Sequence, residues 1–210
     1  MKTKLKICGM KHNTLQVANL QPDYLGFIFY EGSKRNFEGK IAELPSKIKR
    51  VGVFVNASTS FILDKIKEHK LDVIQLHGEE STEFCKNLKT LFNQNNTKPE
   101  IWKVFSIGNT FNFSLLKPYE KWVDKFLFDT KGKEKGGNGE VFNWSLLQDY
   151  PSKKPFVLSG GIGMEQIDAL NSIIETNLPI YAIDINSRFE DAPGVKNVIR
   201  LNQFINAFYE

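Results

Sequence analysis

Apolar residues recur along the chain in short alternating runs, most of them followed by a stretch of helical spacing. The first run, residues 4–10, sets Leu5 and Ile7 against Lys4, Lys6 and Cys8, the period of two that belongs to a strand. Similar runs at 24–29, 50–55, 73–77, 101–105, 125–129, 155–159 and 180–184 predict seven more strands. Helices are predicted over 14–20, 39–47, 59–69, 81–92, 111–116, 143–148, 164–174 and 195–208, with Ser58 as an N-cap. The Asn-rich stretch 93–98 reads as a polar turn. Residues 131–140, heavy in glycine and lysine, read as a loop that cannot pack a core of its own.

Eight strand-and-helix units in 210 residues average about 26 residues each, compact but within the range of a (β/α)8 barrel. The length suits one well-buried domain and is short for two. An open doubly wound sheet would usually put a glycine fingerprint after its first strand, where Cys8-Gly9-Met10-Lys11 stands instead. The expectation is an α/β fold, a single-domain (β/α)8 TIM barrel over 1–210.

Composition narrows the partners. No apolar run approaches the roughly 18 residues of a membrane helix. Nothing hydrophobic precedes the first strand, so it is expected to open the mature fold and not a targeting signal. The formal charge is only +4 with acids interspersed among the lysines, which argues against nucleic acid and allows a small anionic substrate. Two differently placed cysteines do not suggest a disulfide framework, so a reducing, cytoplasmic setting is the default.

A barrel of this kind gathers its chemistry at the carboxyl ends of its strands. Those ends carry Cys8, Arg35 just past the second strand, His77, Asp129, Ser159 and Asp184. The late loops, with Ser159, Gly160 and Gly161 and then Asp184, Asn186 and Ser187, suit a phosphate held by backbone N–H groups; tight turns feeding helices are the plainer reading. Cys8 is either a buried apolar residue or, if a neighbouring charge such as Lys6 lowers its pKa, a general base. Cys85, between Phe84 and Lys86, reads as packing. Asp129 rides to the mouth on Phe126-Leu127-Phe128, three strand steps from Cys8 around a closed ring, which sets an acid opposite a base. Arg35 suits a carboxylate or is a surface arginine, and His77 is a core histidine or a ligand contact. No His, Cys and Asp spacing suggests a metal. Residues 131–140 read as a flexible cover over the site or a plain solvated loop.

Taken together, Lys6-Ile7-Cys8-Gly9, Gly26-Phe27-Ile28-Phe29 with Ser33 and Arg35, Gln75-Leu76-His77-Gly78, Gly136-Gly137-Asn138-Gly139 before Phe142 and Trp144, and Ser159-Gly160-Gly161 resemble the phosphoribosylanthranilate isomerase family. So does Asp184-Ile185-Asn186-Ser187 with Glu190, Pro193-Gly194 and Lys196, and the match runs through the whole chain in order. The resemblance implies a tryptophan-pathway isomerase that needs no cofactor and carries out an Amadori rearrangement on a phosphorylated small molecule. It implies Asp129 as general acid, Cys8 as general base, Arg35 on the anthranilate carboxylate and the last two loops on phosphate. Asp184 would orient sugar hydroxyls or pair with Lys6. Lys34, Asn138, Asn143, Asn197 and Arg188 depart from the family's usual pattern, the last beside the phosphate loop.

Two rivals stand beside this reading. A barrel isomerase of histidine synthesis would be expected to use paired aspartates, against Cys8. A catalytically silent phosphate-binding module would have no use for an acid and a base at one mouth. Monomer and homodimer are equally compatible with the sequence, and neither a nucleic-acid nor a membrane partner is expected.

Overall fold

The computed structural model describes residues 2–95, 98–131 and 141–209. Eight parallel strands close into a barrel in chain order: β1 (Lys4–Ile7), β2 (Tyr24–Ile28), β3 (Lys49–Phe54), β4 (Val73–Leu76), β5 (Glu100–Ile107), β6 (Lys125–Thr130), β7 (Phe156–Leu158) and β8 (Ile180–Ile185). The last pairs back onto the first, with Lys6 opposite Asp184 and Ile7 opposite Ile185. Both faces of such strands are covered, so both parities are apolar through much of each strand. Tyr24, Val51, Val73, Trp102, Leu127 and Val157 belong to the cluster that fills the barrel. A larger cluster, including Leu5, Ile7, Phe54, Ile74, Phe126 and Leu201, packs the barrel wall against its outer shell.

That shell contains helices α1 (Thr14–Ala18), α2 (Thr59–His69), α3 (Thr82–Gln94), α4 (Ile167–Ile174) and α5 (Val198–Tyr209). Ser58 and Ser81 cap α2 and α3, their side-chain oxygens accepting from the amides of Phe61 at 3.2 Å and Phe84 at 3.1 Å. No helix among the described residues is long and apolar enough to cross a membrane.

Four expected helices differ. The one over 39–47 does not form: Pro45 has no N–H to give and Gly39 disfavours a helix start, so the segment runs irregularly into β3. Residues 111–116 and 143–148 fall in 3-10 segments, Phe113–Tyr119 and Trp144–Asp149, the first with Pro118 inside it. The final helix starts at Val198, because β9 (Glu190–Ala192) and β10 (Val195–Lys196) make an antiparallel hairpin ahead of it. Residues 132–140 of the expected cover, Asn138 among them, lie outside the described residues.

Candidate active site

Strand alternation carries every second side chain inward, and the last inward residue of each strand reaches the C-terminal mouth. There a pocket, open at its rim, is lined by Cys8, His77, Asp129, Ser159 and Asp184. Arg35 joins from beyond β2, Gly160 and Gly161 from beyond β7, and Asn186, Ser187 and Arg188 from beyond β8. The residues singled out from sequence thus share one cavity.

On one wall, Cys8 is 5% exposed and its amide donates to Ile185 O at 2.9 Å. Lys6 Nζ lies 2.8 Å from Asp184 Oδ1, with the two side chains 0% and 5% exposed. The same ammonium lies beside the Cys8 side chain: a Cβ at Gly26 would meet Cys8 Sγ at 2.8 Å and Lys6 Nζ at 3.2 Å. Burial is the largest influence on all three groups, pushing the Asp184 carboxyl and the Cys8 thiol up. On Lys6 burial acts downward, but Asp184 and Cys8 overcome it and the ammonium ends above its ordinary 10.5. Lys6 pulls the thiol down, and burial pushes it further up. Ser159 Oγ stands 3.4 Å from the second Asp184 oxygen. Cys85 is fully buried in α3, where burial raises its thiol to about 11.

The facing wall is built on β6 and β4. Asp129 Oδ1 accepts the Thr130 amide at 2.9 Å, and Oδ2 lies 3.3 Å from His77 Nε2. Gln75, 2% exposed, sets its Nε2 3.1 Å from His77 Nδ1.

Arg35 comes from the loop beyond β2. Its Nε and Nη2 donate to both oxygens of Glu190 at 2.6–3.0 Å, whereas its Nη1 has no partner among the described residues. Lys196, opposite Glu190 in the β9–β10 hairpin, donates to Glu190 Oε1 at 2.8 Å and to Asn186 Oδ1 at 2.6 Å. Burial lowers Lys196 to about 8 against the pull of Glu190. Burial works to raise Glu190, yet hydrogen bonds and charge from Arg35 and Lys196 hold it below the usual carboxylate range.

Beyond β7, Gly160 adopts φ 94°, and a Cβ on it would meet Thr130 N at 2.5 Å and Asp129 Oδ1 at 2.9 Å. Only glycine fits that corner. The amides of Gly160 and Gly161 donate to no group among the described residues, as an anion site requires. Arg188 Nη1 lies 3.4 Å from Glu165 Oε1 at the rim. No group of three or more His, Cys, Asp or Glu among the described residues could hold a metal.

A family model for N-(5'-phosphoribosyl)anthranilate isomerase matches residues 5–207. The chain belongs to this family. The family member of Parabacteroides distasonis is 40% identical over 210 residues, covering 96% of this chain and 91% of the relative. That of Phocaeicola vulgatus is 38% identical, covering 96% of each. The crystal structure of the Thermotoga maritima isomerase aligns with a TM-score of 0.83 at 30% identity, over 99% of this chain and 98% of the other. A phosphoribosylanthranilate isomerase crystallised with reduced 1-(o-carboxyphenylamino)-1-deoxyribulose 5-phosphate aligns at a TM-score of 0.78 with 28% identity, over 99% of this chain and 98% of the other. As a phosphoribosylanthranilate isomerase, the chain serves tryptophan biosynthesis.

Glu190, Lys196 and Gln75 belong to the segments that carry the family resemblance, but their spacing alone gives them no role. For the first two, the available signal is the Pro193-Gly194 turn, which sets Glu190 against Lys196 once it is read as a hairpin.

Proposed function

We propose that this isomerase converts N-(5'-phosphoribosyl)anthranilate to 1-(2-carboxyphenylamino)-1-deoxyribulose 5-phosphate by general acid–base catalysis. Asp129 gives a proton to the furanose ring oxygen. The C1'–O bond breaks as the anilinic nitrogen's lone pair forms a C1'=N Schiff base. The Cys8 thiolate then takes the C2' proton, and the electrons of that bond make a C1'=C2' double bond while the iminium pair returns to nitrogen. The enolamine tautomerises to the C2' ketone. Only protons change hands, so no redox cofactor enters.

The observation that carries this reading is the single pocket that holds Cys8 and Asp129 together with the unpartnered amides of Gly160 and Gly161. Those amides, with Ser159, Asn186 and Ser187, suit the phosphate. Arg35, its plane fixed by Glu190 and its Nη1 open, suits the anthranilate carboxylate. His77 lies beside the acid and, with Asp184, can meet sugar hydroxyls. The unpaired Cys8 and Cys85 support a reducing, cytoplasmic setting.

Loss of substrate fluorescence on incubation with purified protein tests the reading. Wild type is expected to consume the fluorescence, and Cys8→Ala and Asp129→Asn to lose roughly 100-fold or more of kcat with the fold intact. Near-normal kcat in either folded variant rejects that residue's role.

A further inference from the structure

We infer that Lys6, held by Asp184, is the counter-ion that lets Cys8 work as a base, a positioning role that rests on the reaction proposed above. A thiolate buried at the foot of the pocket needs an opposite charge at contact distance, because water cannot supply the stabilisation. Lys6 meets that need: its ammonium is wholly buried, 2.8 Å from Asp184 Oδ1 and beside the Cys8 side chain.

The neighbouring strand is cut away to allow this placement. A Cβ at Gly26 of β2 would lie 2.8 Å from Cys8 Sγ and 3.2 Å from Lys6 Nζ. Sulfur and ammonium therefore share the space a side chain would take. A lysine that served only to neutralise Asp184 would be the usual structural pair, replaceable by apolar groups at little cost. A place beside the reacting sulfur, in the space left by Gly26, is what such a pair does not need.

The charged groups around Cys8 are Lys6 on its own strand, Asp184 from β8 and Lys196 from β10. Next to it β2 offers only Gly26, while Asp129 and His77 act on Asp184 from across the mouth. Before the thiol ionises, Lys6 and Asp184 balance. Once that proton passes to solvent through the open pocket, the thiolate stands beside the Lys6 ammonium. When sulfur later takes the C2' proton, the resting balance returns. Burial keeps the resting thiol protonated, and Lys6 keeps its own proton throughout.

The test is Lys6→Met, which keeps length and removes charge, with Cys8 alkylation by iodoacetamide followed against pH and a Cys8→Ser background subtracted for Cys85. The alkylation midpoint is expected to rise by about one pH unit or more, a tenfold loss of thiolate at a given pH below it, and the ascending limb of kcat/KM to rise with it. A midpoint that stays put in a folded variant overturns the inference. A midpoint that moves while the kcat/KM limb does not upholds the Lys6–Cys8 coupling and rejects Cys8 as the base, so the two readings fail separately. A purely structural Lys6 would lower stability and move neither. Should Lys6→Met not fold, nitrogen NMR of Lys6 in wild type decides. The side chain is expected to remain an ammonium through the pH at which thiolate absorbance from Cys8 appears, and a neutral amine there overturns the inference.

Discussion

The Glu190 carboxylate receives Arg35 Nε and Nη2 on its two oxygens at 2.6–3.0 Å, with 4% of the Glu190 side chain exposed. Lys196 closes the other side at 2.8 Å. Glu190→Gln leaves both cations buried without their anion, and such losses cost roughly 3–5 kcal/mol. Because the guanidinium plane is set by this pair, KM is expected to rise more than kcat falls. The acid sensitivity of the fold should also change. Glu190 sits below its ordinary value, so its contribution is present above the unfolded carboxylate pKa and is lost as pH falls through the lower folded value. Urea unfolding at neutral and acid pH should show a smaller acid-dependent loss in the variant than in wild type. Equal losses would mean that Glu190 carries none of that dependence.

Local rules reach some parts of this molecule and not others. Phe126-Leu127-Phe128 announces a buried strand, and the polar residue that ends it must emerge at the mouth, which makes Asp129 readable. Ser58 stands one residue before its helix, where a hydroxyl can accept an orphan amide, and it does; Ser81, expected to begin the next helix, caps it instead. The misread segment 39–47 shows the limit of periodicity, since Ile41 and Leu44 are spaced like a helix while Pro45 stops one from forming. The Arg35–Glu190–Lys196 chain was out of reach for a different reason. It joins a loop after β2 to a hairpin after β8, and its partners become neighbours only when the barrel closes. The state of Cys8 was out of reach too, because it depends on how far burial outweighs Lys6, and no run of residues states the depth of a pocket.

Gly160→Ala tests the anion loop. The added methyl would press on the Thr130 amide and Asp129 Oδ1 at a residue with φ 94°. The loop has to move, and Asp129 with it. Both KM and kcat should suffer, because phosphate grip and acid placement depend on the same corner. Strain of this kind costs about 1–3 kcal/mol, so thermal unfolding should find the variant less stable but folded. A normal KM in that variant would remove the loop from phosphate binding.

Gly26→Ala probes the floor beneath Cys8. Its methyl would come within 2.8 Å of Cys8 Sγ and 3.1 Å of Cys8 Cα, so the backbone of β1 is in the way as well as the sulfur. Overpacking of this sort typically costs about 1–3 kcal/mol. Turnover should drop further than stability suggests, since the displaced atom is the one that must meet the C2' proton. Steady-state kinetics well below the unfolding temperature separate the two effects. Wild-type kcat there would show that the floor can yield without moving the sulfur.

Lys196 offers a signed test of linkage at alkaline pH. In the folded chain burial lowers its ammonium to about 8, whereas the ordinary value is 10.5. Below about pH 8 both states hold the proton, and the fold carries the cost of burying a charge that Glu190 only partly offsets. Between about 8 and 10.5 the unfolded chain holds a proton that the folded chain has released, so this group's contribution to stability rises with pH. Above 10.5 the rise ends. Other groups titrate in the same window, so the measurement is a difference: the pH dependence of unfolding free energy in wild type minus that in Lys196→Met. A positive slope across the window is expected from Lys196. A flat difference would mean that Glu190 and Asn186 hold the ammonium charged as firmly as water does, and Lys196 would then be an ordinary ion-pair lysine despite its burial.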